Sequence, residues 1–126
     1  LDDLQTMHAM KTGAMIRSSC RAGAMLGKAS NKDLEKVTRY GECVGLAFQV
    51  ADDILDLVGE AEKLGKPVGS DLAQGKATYP ALIGLEESRR LGQAMVREAL
   101  VAVQAYQGHQ IDFLRELAEY IMNRLE

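Results

Sequence analysis

The sequence predicts an all-α protein, and three observations carry that prediction. Good helix formers (Ala, Leu, Met, Glu, Gln and Lys) are frequent in a chain of 126 residues that is 47% hydrophobic. Helix-breaking proline occurs only twice, and aromatic residues make up 5% of the chain. Apolar residues recur at alternating steps of three and four, the period of an amphipathic helix. Since the length suits one ordinary domain, we expect helices packed around one core.

Composition excludes several classes of function. A net charge of −3 and the lack of any run of Lys and Arg argue against nucleic acid as a partner. No apolar stretch approaches the ~20 residues that span a bilayer. Cys20 and Cys43 match no metal or redox spacing, and as small apolar fillers they indicate a reducing compartment. We therefore expect a cytoplasmic protein, and, because a helical pattern is running by residue 4 after Leu1, part of a longer chain.

The first half of the chain predicts two helices. Residues 1 to 27 form one pattern, with a kink expected at residues 11 to 13, where Gly13 interrupts it. Ser30 followed by Asp33 resembles a capping box. Residues 32 to 58 then carry the clearest stripe of a long helix, made of Leu34, Val37, Gly41, Val44, Phe48, Ala51, Leu55 and Val58.

The second half predicts a long loop and three shorter helices. Residues 59 to 77 contain four glycines and Pro67, so we expect a functional or disordered loop. Thr78 is expected to cap a helix that begins near Pro80 and runs to about residue 90. Residues 91 to 106 and 111 to 125 are predicted to be two more helices, with Gly108 between them.

An acidic group on the long helix raises a question of chemistry. Gln49, Asp52, Asp53 and Asp56 fall within an arc of roughly 100° on the helix. The stripe described above lies on one side of them, and four more apolar residues lie on the other: Leu46, Val50, Ile54 and Leu57. A helix that is apolar on both sides of its acids is mostly buried. We therefore expect the three aspartates, here called the acid stripe, to face a cavity, with a solvated face as the alternative.

The acid stripe predicts a metal that in turn holds a phosphate. Crowded carboxylates repel one another, and no Lys or Arg lies on that face within one or two helical turns. Mg²⁺ prefers oxygen ligands and is usually held by one or two carboxylates plus substrate phosphates. The candidate hydrogen-bond donors to that phosphate are Lys11, Lys66 and Lys76, although a single lysine is usually a solvated surface residue.

Four stretches, HAMKTGAMIR, GLAFQVADDILD, LGKPVGSD and GKATYPALIGLE, together resemble the trans-type isoprenyl diphosphate synthases. The resemblance is strongest to bacterial farnesyl and geranylgeranyl diphosphate synthases, and it keeps their order and spacing over nearly the whole chain. It implies that residues 1 to 126 are the carboxy-terminal part of a single isoprenoid synthase domain, whose helices surround a central cavity. It also implies Mg²⁺ as cofactor and a homodimer as the complete enzyme.

The resemblance implies a role for each site residue. The metal ligands would be Asp52 directly, and Asp53 and Asp56 directly or through water. Substrate would be bound by Lys11, Thr12, Phe48, Gln49, Lys66, Lys76 and Arg124, with Arg124 near the homoallylic substrate. Lys11, Thr12, Gln49 and Asp52 would also take part in the chemistry.

The activity implied is a prenyl transfer. Pyrophosphate would leave the allylic substrate with the help of metal and lysine charge, which gives an allylic carbocation. Isopentenyl diphosphate would attack this carbocation through its double bond, and loss of a proton would give a chain five carbons longer. The family has two aspartate-rich motifs, and the first is absent here, since Asp2 and Asp3 are followed by Thr6 and Met7. We therefore expect this piece alone to be inactive. The alternatives are a non-catalytic helical subunit or interaction module, and part of a class I terpene cyclase.

Overall fold

The computed structural model describes residues 1–64 and 77–126, and within them every regular element is a helix. The helices are α1 (Asp2–Met10), α2 (Thr12–Leu26), α3 (Asn31–Leu64), α4 (Tyr79–Ile83), α5 (Leu85–Ala102) and α6 (His109–Asn123). The prediction of an all-α protein is confirmed. None of the helices in these residues is long and apolar enough to cross a membrane.

The long helix α3 is the centre of the fold. It has 34 residues, a length of roughly 50 Å, and it contacts each of the other five described helices. Its main core is shared with α5 and α6 and contains Tyr40, Cys43, Val44, Ala47, Ala51, Val96, Ala99, Val103, Ala118, Ile121 and Met122. A second buried cluster consists of Leu4, Val50, Ile54 and Tyr79.

The predicted kink near residue 11 is confirmed. Lys11 has φ −101° and ψ −104°, which takes the backbone out of helical geometry between α1 and α2. Hydrogen bonds still bridge the break, since the Lys11 N–H donates to the Met7 carbonyl and the Met15 N–H donates to the Lys11 carbonyl. The two helices therefore remain joined at an angle.

Helices α2 and α3 cross at two glycines. A β carbon at Gly41 would lie 3.2 Å from the Cα of Arg17, and one at Gly45 would lie 3.2 Å from the Cα of Gly13. Because these neighbours are backbone atoms, the helices can approach this closely only without side chains at both positions. Cys20 also packs here, with its Sγ 3.2 Å from the β carbon position of Gly41.

A polar cluster fixes the beginning of α3. The Ser30 Oγ accepts a hydrogen bond of 3.1 Å from the Asp33 N–H, which is the first of the two hydrogen bonds of the predicted capping box. The Tyr106 hydroxyl, from the segment after α5, donates to the Asp33 carboxylate, and the Lys36 ammonium lies 5.5 Å from the centre of the Tyr106 ring. The hydrogen bond from Tyr106 is the main cause that lowers the pKa of Asp33, and it raises the pKa of Tyr106 to about 12.

The prediction that a loop begins at residue 59 is wrong. Helix α3 continues to Leu64, so residues 59 to 64 are helical. Gly59 weakens a helix by only about 1 kcal/mol, and the good helix formers that follow it, Glu60 to Leu64, offset that cost. The rest of the predicted loop, apart from Ala77, lies outside the described residues.

The predicted boundary near residue 90 is also wrong. A break falls at Gly84, whose φ of +87° lies in the left-handed region and ends α4 after five residues. Helix α5 then runs without a break through Gly92, where a β carbon would lie 2.5 Å from the Met122 Sδ. Gly92 therefore serves close packing. The break at Gly108 is confirmed, with φ +119°.

The two cysteines are packing residues, as expected. Cys43 is buried in the main core and Cys20 is partly buried against it, and both are free thiols. Burial raises the pKa of the Cys43 thiol to about 11 and also raises that of Cys20.

Candidate active site

The acid stripe lies on α3 and is less buried than predicted. Asp52 and Asp53 are partly buried, and Asp56 is exposed. The Asp52 side chain keeps 39% of its surface exposed. The expectation of a buried stripe is therefore corrected to a stripe at the edge of the core, with its inner two carboxylates shielded on one side.

Asp52 is paired with a cation that sequence reasoning did not place there. The Arg124 Nη2 lies 3.4 Å from the Asp52 Oδ1, although the two residues are 72 positions apart in the chain. Arg124 directly follows α6, where its Nε donates 3.1 Å to the Ile121 carbonyl. Its guanidinium carbon lies 5.2 Å from the centre of the Phe48 ring. The sequence predicted no Lys or Arg of α3 on this face, and the structure supplies the cation from the segment after α6 instead.

Asp53 is bonded to the start of α4. The Tyr79 N–H donates a hydrogen bond of 3.1 Å to the Asp53 Oδ2. Thr78 holds the same turn, since its Oγ1 accepts 3.2 Å from the Ala81 N–H, which confirms the predicted cap. The Tyr79 side chain is fully buried, and burial, followed by the charge of Asp53, raises its pKa to about 12. The cap at Thr78 was readable in the sequence, but nothing there pointed to a backbone donor for Asp53.

The glycine crossing places Lys11 and Thr12 on the acidic face of α3. Gly13 packs on Gly45, and Cys20 packs on Gly41, so the two helices run antiparallel. Asp52 follows Gly45 by seven residues, two turns farther along the same face and roughly 10 Å away. The amino end of α2 therefore approaches the acid stripe along α3. The Lys11 side chain is exposed there and Thr12 is partly buried.

Phe48 and Gln49 lie between the glycine crossing and the acid stripe, and both are partly buried. The structure thus places Arg124 against both Phe48 and Asp52. It also places Lys11 and Thr12 beside the same face of α3. Lys66 and Lys76 lie outside the described residues, so their predicted roles stay predictions.

The carboxylates suit a hard divalent cation without forming a cage for it. Within the described part of the chain, no three His, Cys, Asp or Glu side chains are grouped so that they could hold a metal ion. Mg²⁺ needs no such cage, because one or two carboxylates with water and phosphate oxygens complete its shell. The acid stripe already attracts an arginine and a backbone N–H, both electropositive partners. The donor set therefore fits Mg²⁺ bound together with an anion.

A separate pocket of ≈190 Å³ opens between α1, α2, α3 and α5. Its lining consists of Gln5, Gly13, Arg17, Arg39, Glu42, Cys43, Gly45, Leu46 and Met95. Arg17 pairs with Glu42 at 3.5 Å, and Arg39 pairs with Glu98, so both of its arginines are neutralised within the fold.

Comparisons with known proteins identify the family and agree with the fold. Residues 1–117 match the model of the polyprenyl synthetase family. The farnesyl diphosphate synthase of Escherichia coli K12 is 42% identical in an alignment 127 residues long, which covers 98% of this chain. The chloroplastic geranylgeranyl pyrophosphate synthase of Capsicum annuum is 41% identical over 124 residues, again 98% of this chain. The apo crystal structure of an FPP/GFPP synthase from Zymomonas mobilis superposes with a TM-score of 0.78 at 32% identity over 96% of this chain.

The chain spans only part of these proteins. The matches cover 42% of the Escherichia coli enzyme, 34% of the Capsicum annuum enzyme and 38% of the Zymomonas mobilis chain. The family model, however, matches the chain from its first residue to residue 117. The family model and the fold therefore show that this chain belongs to the polyprenyl synthetase family.

Proposed function

We propose that the protein carrying this chain is a Mg²⁺-dependent prenyltransferase that joins isopentenyl diphosphate to an allylic diphosphate. The observation that supports this best is the arrangement around Asp52. The half-exposed carboxylate of Asp52 lies beside Arg124, on the face of α3 that the amino end of α2, with Lys11 and Thr12, approaches. Alternating negative and positive groups on one face suit a substrate that is itself an anion bridged by a cation.

Asp52 and its neighbours would hold Mg²⁺, and Mg²⁺ would supply positive charge to the departing pyrophosphate. Asp52 is the residue that we assign to direct contact, because it lies beside Arg124 and keeps 39% of its side-chain surface exposed. Asp56 is exposed and would act through water. The Asp53 carboxylate accepts a hydrogen bond from the Tyr79 N–H, which holds its orientation. Asp53 would therefore add negative charge to the acid stripe in a fixed position.

The cationic residues would bind the diphosphate end of the allylic substrate. Lys11 stands just before the amino end of α2, whose helix dipole also favours an anion. Thr12 and Gln49 are partly buried and polar, so they would line the carbon centre where charge develops after the C–O bond breaks. Phe48 would shield that centre from water. Lys66 and Lys76 would add positive charge that binds the diphosphate.

An activity assay of the complete protein that contains this chain tests the proposal. That protein should convert labelled isopentenyl diphosphate and geranyl diphosphate into a longer prenyl diphosphate when Mg²⁺ is present, and should sediment as a homodimer. The 126-residue chain alone should make no product, because the resemblance implies two aspartate-rich motifs and this chain lacks the first of them.

Two outcomes would contradict the proposal. A complete protein that binds neither Mn²⁺ nor pyrophosphate would favour a helical interaction module instead. Turnover by the 126-residue chain at an enzymatic rate would show that one aspartate-rich motif is sufficient.

A further inference from the structure

We propose that Arg124 is the counter-cation of Asp52 in the metal-free protein, and that it leaves Asp52 when a divalent cation binds there. This inference rests on the proposed function, because it takes Asp52 as a cation ligand. It adds a positioning role for the residue that directly follows α6, and it links that end of the helix to the occupancy of the acid stripe.

The contact between Arg124 and Asp52 is weak enough to be displaced. The separation of 3.4 Å between Nη2 and Oδ1 exceeds the ~2.7–2.9 Å of a strong charge-assisted hydrogen bond. The two side chains keep 22% and 39% of their surfaces exposed, so solvent screens their attraction. An ion pair of this kind holds its partners weakly, and a divalent cation can outcompete the arginine.

The other contacts of Arg124 do not depend on Asp52. The Nε donates 3.1 Å to the Ile121 carbonyl, and the guanidinium carbon lies 5.2 Å from the centre of the Phe48 ring. Both contacts hold the side chain next to the acid stripe after the bond to Asp52 is lost. The charge would therefore stay close to the site and would turn away from the carboxylate by a small rotation of the guanidinium.

The fixed charge of Arg124 should affect cations and anions in opposite directions. A guanidinium in a protein does not lose its proton, so a bare divalent cation at Asp52 always meets a like charge nearby. Arg124 should thus weaken the binding of a metal ion alone. When pyrophosphate accompanies the metal, the same charge faces an anion and should strengthen binding. A purely structural role of Arg124 would not produce effects of opposite sign.

The test measures Mn²⁺ affinity in the complete protein by electron paramagnetic resonance of free Mn²⁺, without and with inorganic pyrophosphate. Arg124→Gln should bind Mn²⁺ alone about two- to fivefold more tightly, the size expected for an exposed ion pair. It should bind Mn²⁺ with pyrophosphate more weakly by at least a similar factor. Arg124→Lys keeps the charge and should resemble the wild type.

Arg97→Gln is the matched control. Arg97 is an exposed residue of α5 that lies beside Arg39, thirteen residues and roughly 20 Å along α3 from Asp52. Arg97→Gln removes the same charge and should leave the Mn²⁺ affinity unchanged both without and with pyrophosphate. Circular dichroism establishes that each variant is folded, and Arg124→Met replaces Arg124→Gln if the latter does not fold.

The outcomes separate this inference from the proposed function. Equal Mn²⁺ affinities in wild type and Arg124→Gln, or weaker binding of Mn²⁺ alone, would overturn the inference while leaving the prenyltransferase assignment intact. Tighter Mn²⁺ binding in a protein without prenyl transfer would support the inference and overturn the assigned reaction. If no variant bound Mn²⁺ at all, both would be wrong.

Discussion

Three aspartates of the same helix face have three different surroundings. Asp52 lies beside a guanidinium, Asp53 accepts a backbone N–H, and Asp56 is exposed to solvent. Identical side chains thus meet different local charge and accessibility. Their substitutions should have separable effects on catalysis and on structure.

Asp52→Asn should reduce prenyl transfer more than Asp56→Asn in the complete protein. The first change removes charge at the proposed metal ligand, whereas a group that acts through water typically contributes about 10–100-fold. Steady-state rates at saturating Mg²⁺ give the comparison, and Glu62→Gln, an exposed carboxylate of the same helix, serves as control. If both aspartate variants kept wild-type rates, the acid stripe would have no role in metal binding.

Asp53→Ala should loosen the beginning of α4. Loss of the acceptor leaves the Tyr79 N–H without this charge-assisted hydrogen bond, a type worth about 1.5–3 kcal/mol, so its exchange should accelerate by about tenfold or more. Asp53→Asn retains an oxygen acceptor and should preserve slow exchange. Hydrogen exchange followed by NMR at Tyr79 measures this, with Asp56→Ala as control. Unchanged exchange in Asp53→Ala would mean that the bond does not stabilise the turn.

The Asp33–Tyr106 contact predicts a pH-dependent stability. The pKa of Asp33 is lowered in the fold, so its contribution is complete above about pH 4 and falls as the pH drops through the folded value. The pKa of Tyr106 is raised to about 12, so its contribution is complete below about pH 10 and is lost as the pH rises toward 12. Tyr106→Phe should therefore be destabilising at neutral pH, with a difference from wild type that shrinks at both extremes.

Denaturant unfolding between pH 3 and 11 gives that difference. Tyr120→Phe removes the same hydroxyl from a side chain that is 62% exposed, and it should change stability little at any pH. A difference for Tyr106→Phe that does not vary with pH would show that the contact with Asp33 contributes nothing.

At the scale of elements, the sequence predicted what depends on local pattern and missed what depends on contacts between elements. The period of α3 and the cap at Thr78 are local, and both are confirmed. Gly84 and Gly92 look alike in the sequence, but one breaks a helix with φ +87° and the other lies inside one against Met122. Only the packing of α6 on α5 distinguishes them.

Gly41→Ala should destabilise the protein, and Gly59→Ala should not. A methyl group at Gly41 would meet the Arg17 Cα at 3.2 Å and force α2 away from α3, a type of overpacking that typically costs about 1–3 kcal/mol. Gly59 lies in the same helix with nothing within 4 Å of its β carbon position, so alanine there should stabilise the helix by up to about 1 kcal/mol. Urea unfolding of the two variants tests the contrast. Equal effects of the two substitutions would show that the crossing tolerates separation.

At the scale of the whole molecule, the core is unevenly distributed. Helices α3, α5 and α6 share the main core, whereas all residues of α2 are described and none of them is fully buried. The outer side of α2 exposes Met15, Met25 and Leu26. The sequence predicted one helical core, and its motifs predicted the family. It did not foresee the contact of Asp52 with Arg124, since a separation of 72 residues leaves no local signal.

In the 126-residue polypeptide, α2 should open before the central part of α3. None of the residues of α2 is fully buried, so its amides should exchange at least about tenfold faster than those of residues 43 to 54. Hydrogen exchange with mass spectrometry measures both regions in one experiment. The amides of α5 provide an internal control and should resemble those of α3. Equal protection of α2 and α3 would mean that the molecule unfolds as a single unit.

The crossing of α2 and α3 also bears on how a saturation mutagenesis map of this protein should be interpreted. Gly41 and Gly45 carry no functional group, yet a β carbon at either position would lie 3.2 Å from a backbone Cα of the opposite helix, so that the two helices would have to move apart. These positions should reject nearly every replacement as strictly as Asp52 does. Measuring abundance alongside growth would distinguish them, because the glycine variants should lose protein whereas the aspartate variants should lose only activity.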